Sequence, residues 1–342
     1  PDVMVISVDQ YLAYIAQGIV ADITERTQKD PEWATLGFLD ELVDMYTYNG
    51  RLYGIPLNWG VNIWWYNQEI FNEAGLVDPA ILDANGAWTW DALVENGTKL
   101  TVDQNGDGVP ERYALQPNLS PYVINGWLAA NGGGLVDDFR EPSAMWVDSP
   151  ASIEALEFIQ SLFTEHGIAR LSGDSTQGFI NGELAMFDYW QSRMLILPEQ
   201  ANFRWDIIAP PAAPTGQRAT DLGSAALGVY VGSQHPEIAY EYAKFKATAM
   251  AGYANRSVLS ALPPARNLLT DPEILAKLPV PSREVFVNSI TYALPRLMWA
   301  RQAELVNVFS REIGPVWQGQ RSAREAAIVI AEQGNAIINE AR

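Results

Sequence analysis

The most constraining feature of this chain is an apolar segment that changes from strand-like to helix-like in mid-course. Residues 53–66 are rich in branched and aromatic side chains and end in Tyr66-Asn67. Such side chains favour an extended strand. The next residues, 68–73, have the composition of a short helix, and the segment closes on Ala74-Gly75-Leu76. A strand that leads directly into a helix is typical of α/β proteins.

Other segments repeat this alternation. Residues 3–7 and 225–231 are continuous apolar runs that predict buried strands. Residues 9–17 predict a helix that ends at Gly18. Further helices are predicted after the N-cap residues Thr89 and Ser149 and after His235. The predicted fold class is therefore α/β.

Composition limits the architecture and the classes of function. The chain has 342 residues, of which 48% are hydrophobic, and this length suits two lobes better than one small core. The formal charge of −19 repels nucleic-acid phosphate and anionic lipid, so neither is expected as a partner. There is no cysteine, and two histidines leave little material for a multi-histidine metal site or a serine–histidine–aspartate triad.

The chain ends and the hydropathy bear on location. No apolar run reaches the ~18–20 residues that a membrane span needs. The chain opens on Pro1-Asp2, directly before a predicted core strand. We therefore expect additional sequence upstream, including a signal segment and any lipid anchor.

A calcium-like motif occupies residues 103–111. Oxygen ligands fall at the first, third and fifth positions of an EF-hand-type loop, with glycine at the sixth. Position twelve is Ala114 in place of the bidentate glutamate. The motif predicts a structural Ca²⁺ site, and the alternative is a hydrated turn rich in Asp and Asn. The predicted ligands are Asp103, Asn105, Asp107, the Val109 carbonyl and Glu111.

Tryptophan is abundant, with 12 residues. Six of them lie beside polar residues or glycine, outside long apolar helical stripes. They are Trp59, Trp64, Trp65, Trp127, Trp190 and Trp299. A sugar has an apolar face and a polar edge, which match an aromatic ring next to a planar hydrogen-bonding group. We expect at least two of these side chains to line a cleft, whereas the rest fill a core.

Residues 53–76 resemble the hinge-crossing region of bacterial extracellular solute-binding proteins, the sugar-type receptors of ABC importers related to maltose-binding protein. Residues 178–193 are similar to a family segment in which a strand runs to the ligand cleft. Residues 1–23, 121–133 and 295–299 also match, so the resemblance covers essentially the whole chain. It implies a receptor and not an enzyme.

The resemblance implies a two-lobed periplasmic-binding-protein-like fold (type II), with lobes joined by hinge crossovers near residues 58–62, 225–228 and 273–280. The predicted first lobe comprises residues 1–59 plus 226–274, and the second comprises residues 60–225 plus 275–342. The first lobe lacks the strand–helix–strand unit with which the family normally begins. Gly60 stands where maltose-type receptors hold a ligand-binding glutamate, which argues against maltodextrin itself.

The resemblance and the aromatic pattern together predict the ligand-binding residues. These are Asp9, Gln10, Trp59, Asn62, Trp64, Tyr122, Asp188, Tyr189, Trp190, Arg193, Asp221, Gly223 and Trp299. Aromatic rings among them would stack on a sugar, and the polar side chains would bind its hydroxyls. The expected partners are a carbohydrate and the membrane permease of an ABC importer. The protein is expected to be an extracytoplasmic monomer, periplasmic or held at the cell surface by a lipid anchor.

Three alternatives remain open at this stage. The same fold could bind a polyol, a polyamine, a peptide or a metal chelate. A glycoside hydrolase would also combine aromatic stacking with paired carboxylates, but no arrangement here distinguishes an acid from a nucleophile. A structural or adhesive surface protein that has lost its ligand would have a cleft blocked by side chains.

Overall fold

The computed structural model describes residues 1–249 and 258–341. The strands are β1 (Val3–Ser7), β2 (Thr47–Tyr48), β3 (Arg51–Leu52), β4 (Ile55–Asn67), β5 (Tyr113–Gln116), β6 (Leu184–Trp190), β7 (Trp205–Ile208), β8 (Thr220–Val229) and β9 (Ala293–Pro295). The first helices are α1 (Tyr11–Ala16), α2 (Thr24–Lys29), α3 (Asp40–Met45), α4 (Gln68–Glu73), α5 (Pro79–Ala84), α6 (Trp90–Leu100), α7 (Pro121–Ala130), α8 (Pro150–Thr164) and α9 (Ser175–Ile180). The others are α10 (Leu197–Gln200), α11 (Pro236–Thr248), α12 (Val258–Ser260), α13 (Arg266–Leu269), α14 (Pro272–Leu275), α15 (Glu284–Ser289), α16 (Gln302–Trp317) and α17 (Ala323–Glu340).

A long central strand, β4, connects the two halves of the sheet. The strand order is β1-β8-β4-β6-β5, with β7 also paired to β4 and β9 paired to β8. From Ile55 to Val61, β4 pairs with β8, and from Asn62 to Tyr66 it pairs with β6. The strand therefore passes from one set of partners to the other between Val61 and Asn62. The predicted strand-to-helix segment is confirmed, because α4 begins directly after β4.

Two hydrophobic cores form on opposite faces of the second half of β4. Trp64 and Tyr66 belong to one core, whereas Ile63 and Trp65 belong to the other. Successive side chains of a strand point to opposite faces, so this segment must be apolar at every position. The first core also contains α6, α7, α8, α16 and α17, and the second contains α1, α3, α11 and α15. The α/β fold class is confirmed.

Local signals predicted several helix starts correctly. The Thr89 hydroxyl accepts a hydrogen bond from Ala92 N, and the Ser149 hydroxyl accepts one from Ser152 N. Both are N-cap bonds that satisfy donors at the start of a helix. The helix after His235 is also confirmed. Its side chains Ile238, Tyr242 and Phe245 are exposed, whereas Tyr240 and the helix alanines are buried.

The predicted strand at residues 225–231 forms part of β8, which starts earlier, at Thr220. Two of the predicted domain boundaries, 59/60 and 225/226, lie within β4 and β8, and the third, 274/275, lies within α14. The boundaries stay a prediction. None of the helices in the part of the chain that the structure describes is long and apolar enough to cross a membrane.

Candidate ligand-binding cleft

The centre of the candidate site is Arg296, which follows β9. Its guanidinium donates two hydrogen bonds to the Asp221 carboxylate, Nε to Oδ1 at 3.0 Å and Nη2 to Oδ2 at 2.9 Å. Nη1 donates to Asp9 Oδ2 at 3.3 Å. Asp221 comes from β8, and Asp9 follows β1. One arginine thus joins three segments that are distant in sequence.

Two aromatic rings flank the same guanidinium. The Arg296 Cζ lies 4.5 Å from the ring centroid of Tyr122 and 5.2 Å from that of Trp190. Tyr122 is placed by the first turn of α7, where Ser120 caps the helix and Pro121 starts it. Trp190 is the last residue of β6. Cation–π contacts of this kind hold a guanidinium in a defined orientation, so the polar and aromatic groups form one rigid unit.

The charge in this unit does not cancel. Asp221 is only 2% exposed, and burial raises its pKa, while the Arg296 hydrogen bond acts in the opposite direction. Burial is also the main cause of the raised pKa of the Tyr122 hydroxyl, with the Asp9 charge adding to it. With both carboxylates ionised, the pair of aspartates and one arginine carries a net charge of −1.

Gly223 makes room for Trp190. A Cβ on Gly223 would lie 2.7 Å from the Trp190 Cη2 atom, closer than real side chains approach, so glycine is required there for the indole to lie against β8. A Cβ on Gly60 would make a tight contact of 3.0 Å with the Gln191 Oε1 atom. The space above Gly223 is occupied by the Trp190 ring.

A second polar group lies beside the junction of β4 and β6. Asn118 Nδ2 donates to Asn62 Oδ1 at 3.0 Å, and Asn118 N donates to the Asp188 carboxylate. Asp188 is buried, which raises its pKa to about 7. Asn62 is also buried, and its Nδ2 atom has no partner among the described residues. An unpaired buried donor is unusual in a folded protein.

Arg193 and Tyr189 extend this second group. The Arg193 guanidinium lies 4.1 Å from the centre of the Tyr189 ring, and its buried Nε atom has no hydrogen-bond partner in the described part of the chain. Both side chains, with Asn118 and Asp188, line a cavity of about 470 Å³. The predicted residues Asn62, Asp188, Tyr189 and Arg193 are therefore neighbours in the structure.

The remaining predicted residues lie elsewhere. Trp59 is buried, and its Nε1 donates to the Pro263 carbonyl at 2.8 Å. Trp64 is buried against Trp88 and Trp127 in the first core. Gln10 is exposed, and its Oε1 accepts a hydrogen bond from the Tyr14 hydroxyl at 3.4 Å. None of these contacts tests a ligand-binding role, and the assignments stay predictions.

Trp299 lines a groove of about 490 Å³ between α1 and the loop that precedes α8. Tyr48 and Arg140 line the same groove, and Arg140 Nη2 donates to Asp44 Oδ2 at 2.8 Å. Of the six tryptophans singled out above, Trp190 and Trp299 are partly exposed, whereas the other four are buried.

Sequence reasoning did not select Arg296, Tyr48 or Asn118. The only signal for Arg296 was a basic residue within the matched segment 295–299. Its partners Asp221 and Asp9 are 75 and 287 residues away along the chain. The sequence around Tyr48 contains no signal that predicts a functional role. Tyr48 is of interest only because it lines the groove.

The loop at residues 103–111 is closed by its own hydrogen bonds. The Asp103 carboxylate accepts from the N–H groups of Gly106 and Gly108, at 2.7 and 2.9 Å. Glu111 accepts from Gln104 N and Asn105 Nδ2, both at 2.7 Å. Within the described residues no cluster of three or more His, Asp or Glu side chains suits a metal ion. The calcium site stays a prediction.

Comparisons with known proteins agree with this architecture. The chain is 25% identical over 247 residues to the arabinooligosaccharide-binding protein of Halalkalibacterium halodurans, which covers 69% of this chain and 52% of that protein. The chain thus spans about half the length of this relative.

Among solved structures, the ABC substrate-binding protein Lmo0181 from Listeria monocytogenes, in complex with cycloalternan, matches with a TM-score of 0.81 and 22% identity. UgpB from Mycobacterium tuberculosis, in complex with glycerophosphocholine, matches with a TM-score of 0.80 and 20% identity. Each match covers 100% of this chain and 84% of the solved one. These similarities establish the two-lobed fold. The family model for bacterial extracellular solute-binding proteins matches residues 1–252, and the chain therefore belongs to that family.

Proposed function

We propose that this protein is the substrate-binding receptor of an ABC importer and that it captures a carbohydrate, a mono- or oligosaccharide, between its two lobes. The observation that carries the proposal is the unit formed by Arg296, Asp221, Asp9, Tyr122 and Trp190. It combines aromatic rings with fixed hydrogen-bonding groups at the junction of several segments. The described residues provide binding groups, and the proposed activity involves no chemical step on the ligand.

The chemistry of the unit suits a sugar. Of the five N–H bonds of Arg296, three point to Asp221 and Asp9, which leaves two for ligand hydroxyls. Asp9 is exposed, so one of its oxygens can accept a hydroxyl hydrogen. The partly exposed rings of Tyr122 and Trp190 can cover the apolar face of a pyranose or furanose ring. The name of the Halalkalibacterium relative, an arabinooligosaccharide-binding protein, supports the same class of ligand.

Ligand capture would couple to lobe closure. Asp9 follows β1, whose residue Ile6 belongs to the second core, whereas Tyr122 lies in the first turn of α7, which packs in the first core. A sugar that contacts both can do so fully only when the lobes are closed, so its binding energy favours that state. The closed form would then dock on a membrane permease and release its ligand there.

A thermal-shift screen tests the proposal. Mono-, di- and oligosaccharides are compared with polyols, amino acids and polyamines. A ligand at 100 times its dissociation constant stabilises the folded state by about 2.7 kcal/mol, which gives a clear rise in melting temperature. A rise with one class of saccharide, without its hydrolysis, is the expected result. A rise with polyamines or amino acids alone would contradict the carbohydrate proposal, and release of reducing sugar would contradict the receptor proposal.

Two accompanying properties are proposed with this function. A monomer is expected, and light scattering coupled to size exclusion measures it directly. The family is extracellular, and we propose that the protein works in the periplasm or at the cell surface through a lipid anchor. Mass spectrometry of the protein from its native host would reveal such an anchor.

A further inference from the structure

Arg193 is an unpaired arginine in a chain with a large excess of carboxylates. The sequence holds 41 acidic residues against 22 basic ones, so a basic side chain is expected to find a partner. Two other arginines near the ends of β6 do so: Arg170 pairs with Glu183 at 2.8 Å, and Arg296 pairs with Asp221. Within the described residues, the Arg193 side chain has neither an ion pair nor a hydrogen bond, and only its backbone carbonyl accepts one, from Ile196 N. Its guanidinium is thus available to a ligand.

The position of this guanidinium is defined. It lies over the face of the Tyr189 ring at 4.1 Å, and its Nε atom is buried without a partner among the described residues. A buried donor without an acceptor is destabilising, because it has lost its hydrogen bonds to water and gained none in return. The contact with the Tyr189 ring face is a cation–π interaction, which holds the guanidinium next to that ring. The cavity of about 470 Å³ lies at this position.

The other groups around the cavity do not neutralise Arg193. Asp174 and Asp188 both line the cavity, but neither lies within salt-bridge distance of Arg193. The Asp174 carboxylate caps α9 by accepting from Gln177 N at 3.0 Å. Asp188 is buried behind Asn118 and, with a pKa of about 7, retains its proton for much of the time at neutral pH. The remaining polar lining includes Ser175 and Thr176, whose hydroxyls can donate hydrogen bonds.

We propose that the cavity beside Arg193 binds an oxyanion carried by the ligand, so that the captured solute is an acidic saccharide. This inference rests on the carbohydrate function proposed above. The planar guanidinium matches a carboxylate or a phosphate through two parallel hydrogen bonds, and this geometry is the one that arginine supplies better than lysine. Arg296 cannot take this role, because Asp221 and Asp9 already compensate its charge.

The test uses pairs of saccharides that differ by one charged group. Suitable pairs are xylotriose with and without a glucuronosyl branch, and cellobiose and cellobiuronic acid. Sugar phosphates form a third arm. Isothermal titration of the full chain at low salt measures each dissociation constant. We expect the acidic member of a pair to bind at least about tenfold more tightly than the neutral one, with the preference declining as salt increases.

Variants locate the effect. Arg193→Gln should remove the preference, so that it weakens binding of the acidic member at least about tenfold more than binding of the neutral member. Arg193→Lys keeps the positive charge but loses the planar guanidinium and its two parallel hydrogen bonds, so it should retain part of the preference for the acidic member. Arg266→Gln is the matched control, because Arg266 is exposed and unpaired among the described residues, and it should leave every dissociation constant unchanged. The melting temperatures of the ligand-free variants confirm that each one is folded.

The outcomes separate the two proposals. Tighter binding of sugar phosphates than of uronic acids would support the oxyanion site and identify phosphate as its ligand. Equal or tighter binding of the neutral members would overturn this inference and leave the carbohydrate receptor intact. A preference that survives in Arg193→Gln would also overturn it. Failure of every saccharide to bind would overturn both proposals.

Discussion

Replacing Asp188 with asparagine should make the protein more stable at neutral and alkaline pH. Asp188 is buried at the junction of β4 and β6, and among the described residues only Asn118, through its backbone N–H, donates a hydrogen bond to it from elsewhere in the chain. No cation within the described residues balances its charge. An asparagine keeps the shape and the acceptor oxygen, but it has no charge to bury. The variant therefore resembles the protonated form of the wild type.

The size of the effect follows from the pKa. Burial raises the pKa of Asp188 from 3.8 to about 7. The folded state therefore holds this proton to a higher pH than the unfolded state does, and stability falls as pH rises from about 4 to about 7. The full difference corresponds to about 4 kcal/mol, since one pKa unit is about 1.4 kcal/mol. Between pH 5 and pH 8, the advantage of Asp188→Asn should grow by about 3 kcal/mol.

Urea unfolding followed by tryptophan fluorescence measures this change. The free energy of unfolding is extrapolated to water at half-unit steps from pH 5 to pH 8 for the wild type and the variant. Other carboxylates contribute equally to both proteins, so the difference between the two curves isolates residue 188. Asp148→Asn is the control, because Asp148 is exposed, and its curve should run parallel to the wild type. Parallel curves for Asp188→Asn, within about 1 kcal/mol, would refute the reasoning.

Three further perturbations test other parts of the structure. Gly223→Ala places a methyl group 2.7 Å from the Trp190 indole, so it should lower the free energy of unfolding by about 1–3 kcal/mol and weaken ligand binding; unchanged stability and affinity would show that the ring moves freely. Arg140→Ala removes the ion pair with Asp44, worth up to about 1 kcal/mol, and should increase the radius of gyration of the ligand-free protein in small-angle X-ray scattering; an unchanged radius would show that this contact does not hold the lobes together. Millimolar Ca²⁺ should raise the melting temperature and EDTA should lower it, because residues 103–111 carry EF-hand-type donors; no shift would leave a hydrogen-bonded turn as the complete account of this loop.

Local structure could be predicted from the sequence because it depends on residues that are close together in the chain. The N-caps Thr89 and Ser149 bond to amides three residues away, and each was predicted correctly. The strand-to-helix change at Asn67 has the same origin, since the Asn67 side chain accepts from the N–H groups of Glu69 and Ile70. Signals of this range need no knowledge of the rest of the fold.

The candidate site could be predicted only in part, because its contacts join residues that are far apart in the sequence. Arg296 contacts partners 75 and 287 residues away, and local sequence patterns cannot predict contacts between residues so far apart in the chain. The Trp59 indole donates to the Pro263 carbonyl, 204 residues away, and the sequence around Trp59 gives no sign of this contact. Composition cannot tell an aromatic ring that fills a core from one that lines a cleft, whereas tertiary packing decides between them.

The exchange of partners within β4 has a consequence for how this protein can evolve. Residues 63–66 supply alternate side chains to two separate cores. A substitution at any of them therefore disturbs the packing of one core, while the neighbouring residues continue to pack in the other. A one-residue insertion here would send every following side chain to the wrong core. Substitutions in this strand are therefore restricted by packing on both faces, whereas the proposed ligand-binding residues Asp9, Trp190 and Arg296 lie in loops or at a strand end. Specificity can diverge at those positions while the shared strand preserves the architecture.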